Sequence, residues 1–211
     1  MPDATLTNAI TNGLHASFLL AYFIAASRAK FPTAVTWLFF LLFVLKVMGV
    51  YVHYEPDTPG AIRVWAVIAV STVAMNFIVM RESGVPRNLI IGVIAICMAA
   101  TAIFLTGVGD FSYIALPTAL VFAIAARSAP PGSRLRLGLW MVVFSNLVWI
   151  AARKIGGAII GGEVPVSYRY DNDIYHFLLI ASTFVIFQGF RQRHPAPVPD
   201  DGPDRSPATS R

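Results

Sequence analysis

The chain has 211 residues, of which 56% are hydrophobic and only 13% charged, and its mean hydropathy is +0.66. A water-soluble domain carries about 25% charged residues, so this composition excludes an ordinary soluble globule and points to a surface covered mostly by lipid. The net charge of +5 sits in short connections and not in a separate basic domain, which argues against nucleic acid as a partner.

Hydropathy and turn chemistry predict an all-α protein with seven transmembrane helices, over 9–27, 33–54, 61–80, 88–107, 111–127, 136 to 155 or 160, and 173–190. Each run has about the 17–25 residues that a bilayer requires. In hydrocarbon the backbone amides must pair within the segment, so such runs are helical. Between them lie FPT (31–33), EPDTPG (55–60), SGVP (83–86) and SAPPGS (128–133), all rich in turn formers. The N-terminal MPDATLTNAITNG has no basic flank, so a cleaved signal peptide is not expected. Residues 1–193 form the transmembrane domain, and 194–211, rich in Pro, Asp and Ser, read as a disordered cytoplasmic tail.

Basic residues set the orientation. Arg28, Lys30, Arg81, Arg87, Arg127, Arg134, Arg136, Arg191 and Arg193 fall on one side, whereas Arg63, Arg153, Lys154 and Arg169 fall on the other. The first side is expected to be cytoplasmic, with the N-terminus out and the C-terminus in, in a plasma membrane.

With that topology, polar residues can be placed by depth. His15 lies in the outer half of the first helix. On the second, Lys46, Gly49 and His53 are spaced by three and four and share one face. Lys46 is then about 10 Å deeper than His53. A lysine at that depth costs about 2.5–3.5 kcal/mol on insertion scales, so it either faces a cavity or partner or snorkels outward. Gly49 permits close approach of a helix or a ligand. Asn76 on the third helix and Ser145 and Asn146 on the sixth read as interhelical hydrogen-bonding groups, or, for the two asparagines, as lining of a polar cavity with Lys46. Glu55, Asp57, Asp110 and Tyr113 belong to the outer level. Cys97 is the single cysteine and cannot form an internal disulfide.

The seventh helix opens with DNDIYH. Asp171 or Asn172 suits an N-cap and Asp173 complements the macrodipole. Neither role accounts for His176, three residues after Asp173 and four after Asn172 on nearly one face. His53 and His176, from different helices at one depth, are candidate ligands of a metal such as Zn2+, with Asp173, Asp171, Glu55 or His15 to complete the set. No HExxH, CxxC, GxGxxG, Walker A or GxSxG pattern occurs.

GVYVHYE closing the second helix, Trp65 in the third, NDIYH opening the seventh and FQGFR closing it resemble a small uncharacterised family of bacterial multi-helix membrane proteins. That family is similar, distantly, to the seven-helix hydrolase superfamily of alkaline ceramidases, adiponectin-receptor-like and haemolysin-III-like proteins. The resemblance implies a zinc ion held by a histidine of the second helix and two of the seventh, aided by a serine of the second and an aspartate of the third. His53 and His176 match two of the ligands. Asn172 stands where the other histidine would be and Gly49 where the serine would be, and the third helix has no aspartate. The resulting expectation is a metal-dependent membrane hydrolase acting on a lipid amide or ester. In it His53, His176 and Asp173 bind zinc, Asp173 assists catalysis and Lys46 stabilises developing negative charge. The alternatives are a non-catalytic lipid- or small-molecule-binding protein or accessory subunit, and a transporter with Lys46, Asn76 and Asn146 along its path.

Overall fold

The structure, a computed structural model, describes residues 4–55, 58–107, 111–162, 165 and 168–195. These residues form seven helices and no strand: α1 Ala4–Arg28, α2 Thr33–Tyr54, α3 Pro59–Glu82, α4 Arg87–Leu105, α5 Ser112–Ser128, α6 Arg134–Ile160 and α7 Asp171–Arg193. Six are long and apolar enough to cross a membrane, and α5, with 17 residues and Pro117 in its interior, is shorter. The expected tail beyond Pro195, Asp57 and Asp110 lie outside the described residues.

Local chemistry fixes several ends. Thr58 caps α3, its hydroxyl accepting from the Ala61 amide at 3.2 Å, with Pro59 as the first helical residue. Ser133 caps α6 in the same way, at 3.2 Å from the Arg136 amide. Gly161 ends α6 with φ of 70°, a left-handed conformation that a side chain would oppose. Lys30 adopts φ of 53° in the turn between α1 and α2 without being glycine.

Six helices close a ring in which α1 packs on α2, α2 on α3, α3 on α5, α5 on α6, α6 on α7 and α7 on α1; α4 packs outside it on α3 and α5. The ring stands around a central space. Toward the α1–α2 end aromatic rings join α1, α2 and α7: Tyr22 and Phe187 stack at 4.8 Å, and Phe39 meets Phe187 edge-on at 5.5 Å. Outward-facing positions such as Ile91, Met98 and Phe144 are exposed apolar residues, as a lipid-covered surface requires.

The ring is tightest between α6 and α7. A Cβ at Gly138 would come within 2.7 Å of the Ile186 amide nitrogen, and one at Gly189 would strike the Leu135 backbone. These two glycines let the backbones approach, as small residues do between membrane helices.

Candidate functional site

The space inside the ring is a cavity of about 700 Å³. On α7 its wall runs from Asn172 to Phe190, a rise of about 27 Å for eighteen residues. Toward the α1–α2 end the wall is apolar, with Leu38, Phe39, Val79, Phe122, Ile186 and Phe190. Toward the α6–α7 end it becomes polar and cationic, with Lys46, His53, Arg153, Arg169, His176 and Asn172. No aspartate or glutamate among the described residues lines it.

Six aromatic rings form a closed collar around the polar end. His53 contacts Trp65 at 6.3 Å, Trp65 contacts Phe111 at 5.2 Å and Phe111 contacts Trp149 at 5.6 Å. Trp149 contacts Tyr175 at 5.8 Å, Tyr175 contacts His176 at 5.9 Å, and His176 returns to His53 at 5.7 Å. All six residues line the cavity. They come from five separate segments, so the collar exists only because the helices close into a ring.

His176 is buried and held by α1. Its Nδ1 is 2.9 Å from the Thr11 hydroxyl, which is 2.8 Å from Asp173 Oδ1. That hydroxyl is also 3.1 Å from the Asn8 carbonyl; a carboxylate and a carbonyl only accept, so Thr11 shares its one proton between Asp173 and Asn8 and accepts from His176 Nδ1–H. Nε2 then carries the lone pair and accepts from Asn12 Nδ2 at 3.2 Å. The other Asp173 oxygen accepts from Thr7 at 2.6 Å. Asp173 therefore orients His176 through Thr11 and does not line the cavity.

The N-cap position of α7 is Tyr170, not Asp171 or Asn172, and its side chain makes no capping bond; the Asn172 and Asp173 amides donate to the Arg169 and Tyr170 carbonyls at 3.2 and 3.1 Å. Asn172 Oδ1 accepts from Trp149 Nε1 at 2.7 Å, tying α7 to α6, and Asp173 reaches α1. Asp171 is half-buried, within electrostatic reach of Arg153 and Arg169. The macrodipole account still applies to Asp171 and Asp173, which lie in the first turn.

The remaining expected residues separate into wall and packing. Lys46 lines the cavity with Nζ 5.9 Å from the Tyr175 ring centroid, close enough for a weak cation–π contact. Its charge acts on His15, His53 and His176. Asn146 lines the cavity, donating to the Val142 carbonyl and accepting from the Tyr175 hydroxyl at 3.3 Å. His15 lines it deeper and donates from Nε2 to Thr183, whose hydroxyl is committed to the Leu179 carbonyl. Asn76 does not line the cavity; it donates to Thr118 and Cys97 and joins α3 to α5 and α4. Glu55 is exposed beyond α2. Arg153 lies 5.3 Å over the Trp149 ring at the mouth.

Thr7, Asn8, Thr11 and Asn12 were not among the expected site residues. Their signal is the repetition of threonine and asparagine at spacings of four in TLTNAITN, continued by His15, which makes a polar stripe on an otherwise apolar helix. Gly49 serves that stripe: a Cβ there would come within 2.8 Å of Asn12 Oδ1.

A zinc site needs three or four ligands at about 2.0–2.3 Å. His53 and His176 are close enough to share an ion, but both His176 nitrogens have protein partners and the Asp173 carboxylate is turned to α1. No group of three His, Cys, Asp or Glu side chains among the described residues can hold a metal. The described residues thus do not fit zinc. No family model matches the chain, and no curated protein and no solved structure matches it.

Proposed function

We propose that the chain is a seven-span plasma-membrane protein, N-terminus out and C-terminus in, whose central cavity binds an amphiphilic small molecule such as a membrane lipid. The observation that carries this reading is the division of one cavity into a cationic, aromatic-collared end and a mostly apolar remainder whose polar groups are His15 and three threonines. A cavity of 700 Å³ lies within the range of about 300–1,000 Å³ typical of ligand pockets. The α5 helix, at about 26 Å for its 17 residues, spans most of a hydrocarbon core of about 30 Å, which supports seven crossings over six. Lipid extraction of the purified protein tests the binding. The wild type should carry bound amphiphile that is lost when the cavity is filled by Ala66→Trp.

A second reading, metal-dependent lipid hydrolysis, is favoured by one observation, the 5.7 Å approach of His53 to His176. It requires a third ligand that the described residues do not bring to the pair. The transporter reading loses one of its three path residues, because Asn76 is engaged between helices.

A further inference from the structure

Lys46 sits on the cavity wall about 10 Å below the level of His53, seven residues away along α2. Among the described residues it makes no hydrogen bond and no ion pair; its one near partner is the Tyr175 ring at 5.9 Å. The titratable groups its charge acts on are histidines, which offer no compensating negative charge. At the mouth the situation differs, because Arg153 and Arg169 have Asp171 within electrostatic reach. An ammonium near the middle of a span is expensive unless a partner neutralises it, and no carboxylate among the described residues lines this cavity.

Below Lys46 the wall is mostly apolar, interrupted by the His15–Thr183 pair and by Thr72 and Thr118. Phe39 is seven residues deeper on α2, about 10 Å, and Phe190 is fifteen residues beyond Tyr175 on α7, about 22 Å. An acyl tail occupies one leaflet, about half of a 30 Å core, so that depth suits a single chain. The volume of about 700 Å³ over the full length of roughly 27 Å gives a mean cross-section of about 26 Å², a narrow tube.

Resting on the amphiphile-binding reading, we propose that the cavity takes a single-chain amphiphile with an anionic head, carboxylate or phosphate, which pairs with Lys46 beneath the aromatic collar while the chain runs toward Phe39 and Phe190. Arg153 and Arg169 raise the local concentration of anions at the mouth, and Asn146 and the Tyr175 hydroxyl line the wall close to the head. No bond is made or broken.

The experiment uses the full chain in neutral-lipid nanodiscs, released for native mass spectrometry after addition of one of four probes. These are dodecanoate, dodecyl phosphate, dodecylphosphocholine and dodecanol. In the wild type the two anions should bind more tightly than dodecylphosphocholine and dodecanol, and their relative affinities tell carboxylate from phosphate. Lys46→Met should weaken both anions about tenfold or more, the size of a lost charge-assisted contact, while dodecanol binding is unchanged. Dodecanol binding also shows that the variant is folded, and Lys46→Arg should keep anion binding. Equal binding of anions and dodecanol to the wild type, or anion binding that Lys46→Met leaves intact, overturns the role of Lys46 and leaves amphiphile binding standing. Failure of every probe to bind overturns both.

Discussion

The imidazoles of His53 and His176 meet edge-on with centroids 5.7 Å apart, one from the end of α2 and one from the first turns of α7. Proximity alone makes them a metal pair, but the engaged nitrogens of His176 and the turned-away Asp173 leave the pair without a third ligand among the described residues. Metal analysis of purified wild type, His53→Ala and His176→Ala is expected to show no zinc that depends on either histidine. One zinc per chain, lost in both variants, would establish the hydrolase reading instead.

Thr11 links Asp173 to His176, so its hydroxyl should matter more than its size. Thr11→Val keeps the shape and removes the bonds to Asp173 and His176 together with that to the Asn8 carbonyl, leaving a half-buried carboxylate oxygen and a buried ring N–H short of a partner. A loss of about 1–3 kcal/mol in thermal or denaturant unfolding is expected, with Thr11→Ser close to wild type. Equal stability of Thr11→Val and wild type would refute the orienting chain.

Most of the helical plan is readable in the sequence, because seven apolar runs separated by Pro- and Gly-containing turns have few other solutions in lipid. The shared level of His53 and His176 was readable too, their rings lying 5.7 Å apart. Direction around each helix was not. Asn76 has the composition of a cavity residue and the position of a packing residue. Asn172 and Asp173 look like parts of a cap because a polar N-terminal cluster normally is one; their side-chain partners lie on α6 and α1, more than twenty residues away. The aromatic collar has no local signature at all, since no two of its members are adjacent except Tyr175 and His176.

Glycines that look alike in sequence should behave differently. Gly138→Ala and Gly189→Ala place a methyl against the backbone of the facing helix and should each cost about 1–3 kcal/mol. Gly92 has nothing within 4 Å of an added Cβ, and Gly92→Ala should be neutral or slightly stabilising. Thermal unfolding of the three variants measures this, and a uniform response would contradict the close α6–α7 approach.

The orientation can be read with single cysteines on a Cys97→Ser background. A thiol at Arg63→Cys should react with an impermeant reagent added to intact cells, and one at Lys30→Cys only after the membrane is opened. The opposite pattern would invert the protein.

Amphiphile binding in the central cavity is tested most directly by native mass spectrometry of the gently delipidated protein, wild type beside Ala66→Trp. The wild type should retain about one tightly held amphiphile per chain, and the variant, with its cavity filled near Trp65, should retain none while remaining folded. Wild type free of any retained amphiphile, or a variant that holds as much as wild type, would contradict the account.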